Sequence, residues 1–144
     1  MRINEVLRRK GSTEVATIDA DETVQVLVSE LAKWGVGALV VVGADGTVQG
    51  IVSERDVVRR LADSHADLLE QRVRAIMTAD VVTCRPDDDI VHVLRMMTDR
   101  RIRHVPVVTD RGLGGLVSIG DMVKSRIDDL QTTAESLHSY IAGQ

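Results

Sequence analysis

GIVSERD at residues 50–56 is echoed by GLVSIGD at residues 115–121. Glycine, valine, serine and aspartate recur in register 65 positions later, with leucine standing for isoleucine. An apolar run ending in Ser-x-x-Asp reads as a strand feeding a helix. The serine oxygen accepts an N–H of the first turn, and the acid reaches back to the cap. Local capping explains one such junction completely. A second copy in register makes the chain an internal repeat, and that reading decides the fold.

The repeat extends outward from both junctions. Val24, Leu27, Val28 and Leu31 fall at i, i+3, i+4 and i+7, and Ile90, Val93, Leu94 and Met97 reproduce them 66 positions on. Each set is the apolar stripe of an amphipathic helix. ALVVV (residues 38–42) is matched by HVPVV (104–108), and the turn signals GADG and TDRG follow. The β-rich runs VQGIVS and LGGLVS come next, so each copy predicts a hairpin. The second turn is one residue shorter, which changes the offset from 66 to 65. A short strand is expected before each helix, VATI (15–18) and VVTC (81–84), and the acidic stretches DADET and RPDDD after them suit helix N-termini.

Each unit therefore reads strand, helix, strand, strand, helix: an α+β fold of two repeats over residues 11–70 and 77–134. Residues 1–10 form a leading helix ended by Gly11, residues 63–70 a polar loop or broken helix, residues 72–77 a short helix, and residues 135–144 the end of a long C-terminal helix. Either unit alone is too small to bury its sheet face, so the two are expected to pack face to face about a pseudo-twofold axis. On the last helix Val123, Ile127, Leu130, Ala134, Leu137 and Ile141 alternate spacings of four and three. That heptad-like stripe suits either packing on the leading helix or a dimer or partner contact.

Composition narrows the function. With one Trp, one Tyr and no Phe, the core must be aliphatic, and stacking platforms for single-stranded nucleic acid are absent. The net charge of −4 weighs against a general nucleic-acid binder. The single cysteine, Cys84, excludes an internal disulfide and fits a reducing compartment. No secretory signal or membrane-length apolar run is visible, so a cytoplasmic protein is expected. His65, His92 and His138 lack metal-ligand spacing, Cys84 reads as a small apolar residue at a strand end, and Met96, Met97 and Met122 read as core. No nucleophile–base pair, metal cluster or phosphate-cradling glycine loop is present, so neither catalysis nor a catalytic cofactor is expected.

A carboxylate at a helix start can accept hydrogen bonds from both hydroxyls of a ribose, and the free N–H groups there favour a nearby phosphate. In this respect the chain resembles a pair of cystathionine-β-synthase (CBS) domains, the tandem known as a Bateman module. The resemblance rests on the paired glycine–apolar–apolar–serine–x–x–aspartate motifs, on RIRHVPVV (101–108) and on the matching frames around them, and it covers residues 3–142. SIGDMVK followed by a long helix ending in LHSYIAG resembles the stand-alone CBS pairs of bacteria and plant mitochondria.

The resemblance implies two clefts between the repeats that take adenosine-containing ligands. Asp56 and Asp121 would hold riboses, with Ser53 and Ser118 near ribose or phosphate. Adenine would be lined by Val15 and Ala16 in one copy and by Thr78, Val81 and Val82 in the other. The central strands would add Val36, Gly37 and Ala38, and Ile102, Arg103 and His104. The copies differ where phosphate chemistry is decided. Arg100, Arg101, Arg103 and His104 replace Trp34, Gly35, Gly37 and Ala38, while Arg55 of the first motif faces Gly120 of the second. Three arginines and a histidine suit phosphates, so the clefts are expected to prefer different ligands. A solvated face paired with Asp99 or Asp110, or a nucleic-acid contact, is the competing reading of that cluster. The leading expectation is a non-catalytic sensor of AMP, ADP, ATP or NAD(H) that dimerises and acts on a separate partner protein. The alternative is a dimerisation module with vacant clefts.

Overall fold

The computed structural model describes residues 1–12, 14–63 and 67–143. The first repeat runs β1 (Thr17–Ile18), α2 (Val24–Trp34), β2 (Ala38–Val42), β3 (Val48–Ser53) and α3 (Glu54–Asp63), after the leading helix α1 (Ile3–Lys10). A 3-10 turn (Leu68–Glu70) and α4 (Val73–Ile76) lead to α5 (Ile90–Arg100), β4 (His104–Thr109), β5 (Gly112–Ser118) and α6 (Ile119–Ala142). The reading placed at His65 lies outside the described residues.

Caps bound the helices as their sequences demand. Thr23 Oγ1 accepts from Val26 N at 3.2 Å and opens α2, and Asp89 Oδ1 accepts from Val91 N at 2.8 Å and opens α5. Gly11 (φ 79°) and Gly35 (φ 64°) end α1 and α2 in the left-handed conformation that glycine adopts without a Cβ penalty. Both hairpins form. Ala38 pairs with Ser53 and His104 with Ser118, so the two motif serines stand opposite equivalent central-strand positions.

The opening strands are shorter than expected. β1 keeps two residues and pairs parallel with β2. VVTC at 81–84 keeps a single bridge, in which Cys84 N–H donates to Pro106 O (3.0 Å) and Cys84 O accepts from Val108 N (2.8 Å). Val81 and Val82, half-buried, wall a cavity instead of extending a ladder.

Two aliphatic cores result, and each is closed by a segment that precedes the other repeat. Leu27, Leu39, Val41 and Val52 of the first repeat pack with Leu68, Val73 and Ile76. Ile90, Val93, Met97, Val105 and Met122 of the second pack with Ile3 and Val6 of α1, and Cys84 is buried there too. Equivalent backbone bonds fix the exchange: Ile3 N to Asp88 O (3.0 Å) and Val73 N to Glu22 O (2.8 Å). The long helix α6 packs through its first turns, where Met122 and Ser125 are buried. Arg9 of α1 donates to Ser125 O at 2.9 Å. Beyond Asp129 every described residue of α6 is exposed.

Candidate functional site

The first junction is a doubly bonded turn. Asp56 Oδ2 accepts from Ser53 N (2.8 Å) and Ser53 Oγ (3.1 Å), and Asp56 N donates back to Ser53 Oγ (3.3 Å). Asp56 Oδ1 has no hydrogen bond among the described residues. Glu54 N donates to Gly37 O at 3.0 Å, which ties the start of α3 to the strand beside it. Gly50 admits a neighbour: a Cβ there would lie 2.9 Å from both Met77 Sδ and Thr78 O. Without one, Thr78 exchanges backbone bonds with Ile51 at 2.9 and 3.0 Å, and the second repeat's opening segment lies against the first repeat's motif.

A cavity of about 200 Å³ opens along this seam. The first repeat contributes Gly37, Ala38, Ser53, Arg55 and Asp56, and the second contributes Thr78, Val81, Val82, Ile102, Arg103 and His104. The motif of one repeat is thus gathered with the opening segment and central strand of the other. Arg101 of the expected phosphate cluster lines it as well, while Arg100 does not; Ile51, Glu54, Arg59 and Asp80 also line it and were missed as site residues. Arg59 was available to sequence reasoning, since it follows Arg55 by one helical turn on α3. Asp80 lies between Thr78 and Val81, the segment residues that the resemblance assigns to the base.

Its lining combines four arginines, Arg55, Arg59, Arg101 and Arg103, with three carboxylate residues, Glu54, Asp56 and Asp80, and with aliphatic residues such as Val81, Val82 and Ile102. None of those arginines forms an ion pair among the described residues. Asp110, offered as a partner for the cluster, pairs with Arg85 at 2.9 Å instead. Arg101 is notable for its backbone: at φ 54° it ends α5 in the left-handed region, the position Gly35 holds at the end of α2. His104 sits between the two motifs. Loss of solvation pushes its imidazole below the ordinary value, with Asp121 and Glu54 pulling up against it and Lys10 and Arg103 pushing down.

The second junction is built alike but is occupied by the protein itself. Asp121 N donates to Ser118 Oγ and Ser118 N to Asp121 Oδ2, both at 3.0 Å. Lys10 Nζ lies 3.1 Å from the same Oδ2 and donates to Leu116 O at 2.9 Å. Burial raises the Asp121 carboxyl, but the Ser118 bonds and the Lys10 ammonium outweigh it and hold it below the usual value. Ser118, Gly120 and Asp121 therefore stand apart from the first cavity, as do Val15 and Ala16, whose carbonyl at Ala16 accepts from Val40 N (3.2 Å). Val36 lines an adjoining groove with Val28, Leu31, Val57 and Val58, which shares Gly37 and Glu54 with the cavity. Cys84 is buried, and that burial, with Asp88 adding to it, pushes its thiol up to about 12. It is therefore an inert core residue at neutral pH.

Two repeats, exchanged closing segments and paired Ser-x-x-Asp junctions define a tandem-repeat architecture, and comparison with known proteins gives it a family. The CBS domain model matches twice, at residues 5–63 and 73–128, and the chain belongs to that family as a CBS pair. It is 34% identical over 148 residues to the mitochondrial CBS domain-containing protein CBSX3 of Arabidopsis thaliana, covering 98% of this chain and 72% of that one. The solved CBS-domain protein ATU1752 of Agrobacterium tumefaciens superposes with a TM-score of 0.84 at 38% identity, over 88% of this chain and 99% of that one. The CBS domain pair of protein MJ0100, solved in complex with 5′-methylthioadenosine and S-adenosyl-L-methionine, superposes at 0.79 with 25% identity, over 90% and 98% of the two chains. No described helix is long and apolar enough to cross a membrane.

Proposed function

We propose that the chain is a non-catalytic regulatory module that binds an adenine nucleotide (AMP, ADP, ATP or NAD(H)) in the cavity at Asp56, and that a separate protein reads the liganded state. The observation that carries this reading is that one cavity gathers Asp56, whose Oδ1 accepts no hydrogen bond among the described residues, with four arginines drawn from both repeats. Asp56 Oδ1 is available to ribose hydroxyls, Val81, Val82 and Ile102 offer an aliphatic slot for a base, and the arginines match phosphate. The MJ0100 ligands support the adenosine part. The arginines argue for a phosphorylated relative of those ligands here.

Such a ligand touches both repeats at once, so it favours whichever mutual arrangement closes the cavity on it; that differential affinity is the only way it can shift the population. The reading includes a homodimer in a reducing compartment, the cytoplasm. The groove at Val28, Val36 and Val58 and the uncovered stripe of α6 give apolar surface for a second copy. Calorimetric titration with AMP, ADP, ATP, NAD, NADH and S-adenosylmethionine tests the site. Asp56→Asn keeps an oxygen for the Ser53 contacts and is expected to weaken the preferred nucleotide at least tenfold. If no nucleotide binds, the module is a scaffold with vacant clefts; if one binds and Asp56→Asn leaves its affinity intact, the site does not depend on Asp56.

A further inference from the structure

The last helix meets its own body with one side only. Met122 and Ser125 of α6 are buried, Arg9 of α1 donates to Ser125 O at 2.9 Å, and Arg9 Nη2 lies 3.8 Å from Asp129 Oδ1. At about 3.6 residues per turn, Ser125 lies on the far side of the helix from Val123, Ile127, Leu130, Ala134, Leu137 and Ile141. All six of those residues are exposed. Their alternation of four and three runs unbroken from the body of the protein to the end of the helix. So narrow a stripe is the seam of a coiled coil rather than the wider face of a helix lying on a globule. A half-helix that projects without such a seam being covered is marginal in water.

We infer that the stripe is a homodimer seam, in which α6 pairs antiparallel with α6 of a second copy, centred between Leu130 and Ala134. This rests on the homodimer reading of the module and gives that dimer its interface. In this register Val123 meets the partner's Ile141, Ile127 meets the partner's Leu137 and Leu130 meets the partner's Ala134, and the twofold axis repeats each layer. Every layer is apolar. The one small residue always faces a leucine, the large-against-small arrangement that fills a seam. Parallel pairing would set Ala134 against itself and leave a void there. It would also align the two helix dipoles, which the antiparallel pair opposes.

The flanks agree in charge and fix the orientation. Lys124, Gln131 and His138 border the seam on one side, and Arg126, Thr133 and Tyr140 on the other. Asp128, Asp129 and Glu135 lie outside both flanks, so no acid faces an acid across the seam. Arg126 falls beside the partner's Tyr140, where its guanidinium can stack on the ring while Nη1 keeps Asp129 at 3.6 Å. Gln131 meets the partner's Gln131, and each amide can both donate and accept. Lys124 falls beside the partner's His138, a pair that repels only when the imidazole is charged. The contacts with α1 and the seam use different sides of α6, so both are made at once.

Sedimentation equilibrium on the full-length chain reads the assembly, and cysteine pairing reads the register. Wild-type protein is expected to be a dimer. Leu137→Asp, at an exposed position, is expected to weaken that dimer by about a hundredfold or more, because it places a charge in the seam twice. Its urea transition at low protein concentration should match that of the wild-type chain. Mild oxidation of a mixture of Leu130→Cys and Ala134→Cys chains is expected to give mainly dimers holding one of each, with little linkage of either variant to itself. The native Cys84 is buried and does not compete. Self-linkage that outruns the mixed product makes the seam parallel and overturns the inference. A dimer that Leu137→Asp leaves undiminished also overturns it, while the homodimer stands with its interface elsewhere. A wild-type monomer removes the homodimer reading itself.

Discussion

Arg101 pays a conformational cost that its counterpart avoids. Both Gly35 and Arg101 end a helix in the left-handed region, at φ 64° and 54°, and both donate a cap N–H to the preceding turn. For an L-residue with a Cβ that conformation is disfavoured by about 1 kcal/mol or more. Nothing in the packing of the second repeat requires a side chain there, since Arg101 is exposed and not ion-paired among the described residues. What the side chain does is line the cavity beside Arg103. Strain held by a residue at a ligand cleft is the pattern of a functional position. Arg101→Gly is therefore expected to stabilise the protein by about 0.5–1 kcal/mol, seen as a higher urea midpoint. The same variant should bind the phosphorylated ligand more weakly. A variant that gains no stability, or that gains it with undiminished affinity, removes the argument that the strain serves the ligand.

Among the elements, those set by periodicity were legible and those set by distant partners were not. The stripes at Val24–Leu31 and Ile90–Met97 became α2 and α5 because 3.6-residue spacing and a capping residue are local facts. The hairpins followed from turn chemistry in the same way. VVTC at 81–84 reads as a strand, yet its pairing depends on the strand at Val107, distant in sequence, and only Cys84 finds a bridge partner there. The site shares this limit. Repeat register shows that Asp56 and Asp121 are equivalent, but it does not show that Asp56 faces Thr78, Arg103 and His104, or that a further turn of α1 carries Lys10 to Asp121. The stripe on α6 does not lie buried on the leading helix. The first turns of α6 contact α1 with Met122 and Ser125 buried, whereas Val123, Ile127, Leu130, Leu137 and Ile141 of the stripe are 45%, 49%, 54%, 58% and 71% exposed. A chain ending at Leu130 is accordingly expected to keep its unfolding free energy in urea titration within about 0.5 kcal/mol at low protein concentration while losing helical circular dichroism, because unpacked helix adds little stability of its own. A large fall in the midpoint would mean that the outer half is held by the protein's own body.

At the scale of the whole molecule, the exchange of closing segments makes two repeats into one folding unit. Cutting between residues 66 and 67 leaves the first half without Leu68, Val73 and Ile76, and the second without Ile3 and Val6. Ile3, Val6, Leu68 and Val73 are each at most 1% exposed. Burying a side chain of this kind contributes about 1.5–3 kcal/mol, so losing two or three of them consumes much of the roughly 5–15 kcal/mol that a domain has in hand. The backbone bonds from Ile3 to Asp88 and from Val73 to Glu22 go with them. Fragments 1–66 and 67–144 are therefore each expected to lack a cooperative unfolding transition, and mixing them should restore one. The cavity at Asp56 draws its carboxylate from the first fragment and Thr78, Arg103 and His104 from the second. Nucleotide should then bind the mixture and neither fragment, and it should raise the midpoint of the mixture as any ligand specific to the assembled state does. A fragment that unfolds cooperatively alone would show that its core closes without the borrowed segment. A fragment that binds nucleotide alone would show that the cleft belongs to one repeat.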